Sequence, residues 1–158
     1  MVNAETCWVW DAPATVSPHA LNVYRVDSPR VDGSYLIDGL TSVRNLLTTR
    51  EEKVRLTTWL IDQRRSGIEC PTITEDAIAY AKSAPMLRLN ARIDRLFIFL
   101  EARGFRPGDM LRINASDATS SLMAWTESFD ADDFMGLFRL LKASGLVSNE
   151  FSSTIGLT

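Results

Sequence analysis

The chain has 158 residues, enough for one well-buried core or two small lobes and too few for a large multi-domain enzyme. Its 46% hydrophobic, 23% charged and 9% aromatic residues exclude disordered, collagenous and low-complexity classes. A formal net charge of −3 excludes the strongly basic field of a general nucleic-acid binder, no apolar run approaches the ~18 to 20 residues of a membrane span, and two cysteines are too few for a disulfide framework.

Residues 1–40 are rich in Pro, Val, Tyr and Asp. Short extended pieces are predicted around Trp8–Trp10, Leu21–Val26 and Tyr35–Ile37, separated by Pro13, Pro18, Pro29 and Gly33, which together make a small β-rich lobe. From residue 41 the pattern turns helical. Thr49 with Glu52 forms a capping box that starts a helix Arg50–Ser66, closed by Gly67. Its apolar face holds Val54, Leu56, Thr57, Thr58, Trp59, Leu60 and Ile61, with Arg55, Asp62 and Arg65 predicted to point outward. Thr72 with Glu75 offers a second capping box for a short helix that stops before Pro85. A third helix fits Leu89–Arg103, striped by Ile93, Leu96, Phe97 and Leu100 and ended by Gly104. Phe105–Gly108 reads as a turn, Met110–Asn114 as a short strand, and residues 116–128 suit either helix or strand. Asp130 caps a helix Ala131–Ala143 with Phe134, Leu137, Phe138 and Leu141 on one face. Leu146–Ser148 and Ser153–Thr158 read as a β-hairpin.

Charge is unevenly distributed. Residues 82–115 hold Lys82, Arg88, Arg92, Arg95, Arg103, Arg106 and Arg112 against Asp94, Glu101 and Asp109, a local balance of +4; residues 116–158 reverse it to −4. The arginines are read first as solvated helix faces and second as contacts to a polyanion.

Catalytic residues are not evident. His19 stands beside Pro18 with no nucleophile or carboxylate near it in sequence, and there is no glycine-rich phosphate cradle, nucleophile elbow or histidine pair. Asp130, Asp132 and Asp133 could hold Mg²⁺, but acids in a first helical turn already complement the helix dipole. Glu69 beside Cys70 raises rather than lowers a thiol pKa, so no reactive cysteine is expected.

Two segments carry resemblances. Cys7-Trp8-Val9-Trp10-Asp11-Ala12-Pro13-Ala14 and Ser28-Pro29-Arg30-Val31-Asp32-Gly33-Ser34-Tyr35 resemble the zinc-ribbon patterns C-x-x-C-G-x-P-A and C-P-x-C-x-G-x-Y, with Cys7, Trp10, Ser28 and Val31 at the ligand positions. Only one thiolate survives, and Cys7 cannot fill four positions even with His19 recruited. The resemblance therefore implies a ribbon without its metal. A structural zinc contributes on the order of 10 kcal/mol, against roughly 1.5–3 kcal/mol for one buried aromatic side chain. The lobe is thus expected to dock on the helical body through Trp8 or Trp10.

Residues 89–158 resemble a winged helix: Leu141, Gly145, Leu146 and Val147 match the end of the helix before the wing, and Leu157-Thr158 the end of its second strand. In DNA-binding members that helix enters the major groove, yet its first turn here carries three aspartates, and Leu146–Thr158 contains Glu150 and no Lys or Arg. The resemblance implies a packing or protein-interaction role.

The sequence reading is therefore an α+β chain, a zinc-ribbon-like lobe packed on a helical body ending in a winged helix. Its divisions are 1–40, a helical connector 41–88, and 89–158, with the last expected to be cut short at Thr158. The expected role is a non-catalytic regulatory, interaction or oligomerisation module of a larger bacterial, cytoplasmic protein. Its partner is another protein or a C-terminal effector domain, with a homodimer open, and neither membrane nor cofactor is expected. The residues proposed for interaction are Arg88, Arg92, Arg95, Arg103, Arg106, Asp130, Asp132 and Asp133. A DNA-binding regulator using the arginines, and a small enzyme assembled from distant Asp and Ser residues, are the alternatives.

Overall fold

Antiparallel pairing of four short strands organises residues 4–38. The computed structural model describes residues 4–40, 43–113, 116–151 and 154–157. The chain is α+β and divides into two units, Met1–Met86 and Leu87–Thr158. Among the described residues no helix is long and apolar enough to cross a membrane. The predicted strand end at Asn114, and Ser153 and Thr158, lie outside the described residues.

In the first unit, β1 (Ala4–Thr6), β2 (Pro13–Ala20), β3 (Val23–Ser28) and β4 (Gly33–Asp38) form an antiparallel sheet in sequential order. Two predictions fail here. Trp8–Trp10 is a turn, not a strand, closed by the Asp11 N–H on the Cys7 carbonyl at 2.9 Å and by the Cys7 N–H on the Ala12 carbonyl at 2.6 Å. Pro13 and Pro18, taken as separators, lie inside β2. Pro13 opens the strand, and Pro18 lies beyond the residues that β1 pairs and beside a register shift, two places where a missing N–H is tolerated.

After α1 (Val43–Leu46), α2 (Arg50–Arg65) starts at the predicted capping box, with both reciprocal bonds of Thr49 and Glu52 present, and ends before Gly67 at φ +100°. The sheet and helices share one core, in which Cys7, Val9, Val26, Val31, Tyr35 and Ile37 meet Leu47, Leu56, Leu60, Ile73 and Ala77. The next helix, α3 (Glu75–Ser83), is capped by Thr74, whose hydroxyl accepts from the Ala77 N–H, rather than by Thr72. Thr72 is instead held in a parallel bridge to Leu36, with the Ile73 N–H on the Leu36 carbonyl at 2.9 Å. Tertiary pairing thus displaced the cap by two residues. Arg55, predicted to point outward, lies over the end of α3, where Nε donates to the Ala81 carbonyl at 2.6 Å and Nη1 to that of Ala84 at 3.0 Å. Helix-end carbonyls lack intrahelical donors, and this guanidinium supplies them.

The second unit contains α4 (Leu89–Ala102), β5 (Met110–Arg112), α5 (Ser116–Trp125), α6 (Ala131–Ala143), β6 (Val147–Phe151) and β7 (Thr154–Leu157). Its antiparallel sheet has the order β5-β7-β6, so the C-terminal hairpin sets its second strand beside β5. The segment left open between helix and strand is α5. Asp130 caps α6 as predicted, and Phe134, Leu137, Phe138 and Leu141 are buried. The stripe of α4 is shifted: Leu96, Phe99 and Leu100 are buried together with Arg95, while Phe97 remains 36% exposed. Phe99 meets Trp125 edge-on at 5.6 Å, and that packing fixes the rotation of the helix.

Replacing Thr74 by Ala removes the observed cap and is expected to lower stability by about 1 kcal/mol in urea denaturation. Thr72→Ala, which leaves that cap intact, should leave the α3 N-terminus as protected from hydrogen exchange as in the parent.

Candidate functional site

Cys7, Trp10, Ser28 and Val31, four separated positions in sequence, lie in two turns of the first unit. The turn after β1 and the 3₁₀ turn Pro29–Val31 each end in an aspartate with left-handed backbone, Asp11 and Asp32, both at φ 53°. That conformation favours glycine. Asp11 stands where the pattern C-x-x-C-G has its glycine, and it adopts the left-handed backbone that a glycine takes most readily.

Cys7, Ser28 and Val31 are fully buried, and Trp10 packs against the same core. Their chemistry does not fit a zinc ion. The Cys7 thiol lies 3.5 Å from the Tyr35 hydroxyl, and Ser28 Oγ accepts the Arg30 N–H while donating to the Pro13 carbonyl, both at 3.3 Å. Val31 offers only methyl groups. The Trp10 indole N–H donates to Thr57 Oγ1 of α2 at 2.8 Å, tying the first turn to the helix. Among the described residues no three His, Cys, Asp or Glu side chains gather where they could hold a metal.

The two turns are joined by residues that spacing alone did not single out. The Arg30 guanidinium stacks 3.8 Å over the Trp10 ring, so the second turn closes on the first through a cation–π contact. Arg64 of α2 donates to the carbonyls of Ser34 and Val31. Burial lowers its pKa from the usual arginine value, while Asp32 opposes that shift. The Tyr35 hydroxyl accepts the Trp8 N–H at 3.2 Å, and burial, reinforced by Cys7, pushes its pKa far above the ordinary tyrosine value. Arg30 stands next to a proline inside the ribbon pattern, a position at which its stacking has no sequence signature. Burial, more than Glu69, pushes the Cys70 thiol up. His19 is exposed on β2.

In the second unit the predicted arginines separate into two groups. Arg92 and Arg95 point inward, onto the segment between α5 and α6. Arg92 Nε donates to the Thr126 carbonyl at 2.6 Å, and its Nη2 reaches Ser128 Oγ at 3.2 Å and Asp133 Oδ2 at 3.0 Å. Arg95, 7% exposed, donates from Nε to the Trp125 carbonyl at 2.9 Å. Glu127 in the same turn is 2% exposed, has φ +49°, and accepts the Leu87 N–H at 2.7 Å. Sequence reasoning missed Glu127, because nothing local distinguishes a buried glutamate from a solvated one. Arg88 is exposed just before α4, Arg103 lies over Phe99 at 4.2 Å, and Arg106 is exposed in the following turn.

The aspartates also separate. Asp130 Oδ1 accepts the Asp133 N–H at 2.9 Å, Asp133 Oδ2 accepts the Phe129 N–H at 3.0 Å as well as Arg92, and Asp132 faces solvent. No family model, curated protein or solved structure matches the chain.

Trp10→Ala empties the position that touches both α2 and Arg30, and is expected to lower stability by about 3 kcal/mol in thermal or urea denaturation. A second outcome concerns pH. The pKa of Tyr35 is higher folded than unfolded, so its contribution to stability is complete below the unfolded value of 10.0 and declines as pH rises past it. In an alkaline titration followed by absorbance and circular dichroism, the last tyrosinate should appear together with loss of structure.

Proposed function

We propose that the chain is a non-catalytic protein-interaction module in which a ribbon-like lobe, held by packing in place of metal, precedes a winged-helix-like unit. The paired turns with their left-handed aspartates support the first part. The order α4, β5, α5, α6 and hairpin, with sheet order β5-β7-β6, supports the second. A regulatory or oligomerising role within a larger cytoplasmic bacterial protein is the setting this reading favours.

One observation carries the choice of protein over DNA: the arginines nearest the start of α6 are engaged inside the fold. Arg92 is tied to Asp133 and the Thr126 carbonyl, and Arg95 to the Trp125 carbonyl. The start of α6 therefore presents the exposed carboxylates of the cap Asp130 and of Asp132, with the Asp133 charge balanced by Arg92. Two exposed carboxylates repel phosphates at the point where a recognition helix enters the groove. Exposed Leu89, Phe97, Met110, Leu140 and Leu146 give the same unit apolar side chains suited to a protein partner.

Titration of labelled duplexes at two salt concentrations tests the reading. Binding should be weak and without sequence preference, with a log–log salt slope of about −0.9 per phosphate contact. Asp132→Asn should tighten it modestly, whereas Asp133→Asn should act on stability through Arg92. A tight, sequence-selective complex that survives physiological salt overturns the proposal in favour of a DNA-binding regulator.

A further inference from the structure

Two open grooves stand out on the molecule, one in each unit. The first-unit groove, about 550 Å³, is formed by Trp8, Val16, Pro18 and Tyr24 with Glu5 at its edge. The second-unit groove, about 560 Å³, is formed by Phe97 and Leu100 of α4, Phe105 in the turn beyond it, and Leu146 before β6, with Glu101 and Arg106 among its lining residues. They differ in charge. The first contains one acidic side chain, while the second contains one acid and one base beside an apolar centre.

We propose that the second groove is the contact by which this protein pairs with a second copy of itself, an inference that rests on the interaction-module reading and names its partner. In a two-fold dimer the same patch lies on both sides, so whatever residue i needs from residue j must be present on one surface. The groove of α4 meets that condition, since Glu101 of one copy can face Arg106 of the other and the pair forms twice around the apolar centre. Neither side chain takes part in an ion pair among the described residues, so both charges are available. The lining of the groove around Glu5 offers no cationic side chain to receive that carboxylate from a second copy.

The apolar part of the patch is not needed by the core. Leu96, Phe99 and Leu100 already bury one side of α4, while Phe97 and Leu146 remain 36% and 44% exposed. Two large side chains from separate elements, converging on one groove with charged neighbours, give the apolar centre and polar rim of a protein interface. Closing them against a copy removes both from water without disturbing the Phe99–Trp125 packing beneath.

Sedimentation equilibrium of the full chain over a range of concentrations tests the proposal, with circular dichroism verifying that each variant folds. The parent should show a reversible monomer–dimer equilibrium, and Phe97→Ser, at an exposed position, should weaken it by about tenfold or more. Glu101→Arg should also weaken it, and adding Arg106→Glu to that variant should restore it, which a purely structural effect of either residue would not do. A monomer at every concentration overturns the proposal, as does a dimer indifferent to Phe97→Ser and to the charge exchange. Either result leaves the interaction-module reading standing, because that reading fails on a different measurement, the sequence-selective complex with duplex DNA.

Discussion

A backbone carbonyl buried at a helix end or in a turn must find a donor, since an unmet buried polar group costs about 1–3 kcal/mol. In both units of this protein arginine supplies it. Arg55 takes the carbonyls of Ala81 and Ala84 at the end of α3, and Arg64 those of Ser34 and Val31 beside the second turn. Arg92 and Arg95 take Thr126 and Trp125 between α5 and α6. A planar guanidinium with several fixed donors suits this task better than the single ammonium of lysine. The turns that shape each unit depend on these contacts, and the contacts withdraw positive charge from the surface.

That withdrawal bears on function as much as on stability. Counted along the chain, residues 82–115 form a basic block, yet Arg95 is buried and the half-buried Arg92 is engaged with Thr126, Ser128 and Asp133. What remains near the start of α6 is acidic. The proposed preference for a protein partner follows from where the guanidinium groups sit rather than from how many there are.

In the first unit the problem is to hold the turn after β1 and the turn Pro29–Val31 against each other and against α2. The solution is distributed: Trp10 on Thr57, Arg30 over Trp10, Tyr35 with Cys7, and Val31 in the shared core. Each contact is small by itself, and the lobe also buries its strands against α2 and α3 in one core. Arg64, reaching from α2 to the Val31 carbonyl, ties the second turn to the same helix.

The sequence by itself determined the parts governed by short-range chemistry. The capping box of Thr49 and Glu52, the cap at Asp130, the buried face of α6 and the C-terminal hairpin all depend on residues within a few positions of one another. Tertiary structure alone decided the rest. It drew Thr72 into pairing with Leu36, turned Phe97 outward by packing Phe99 on Trp125, buried Arg95 and Glu127, and set Arg92 against Thr126, Ser128 and Asp133. Whether a charged side chain meets water or a distant carbonyl is set by chain segments thirty or forty residues away, and no local pattern records that choice.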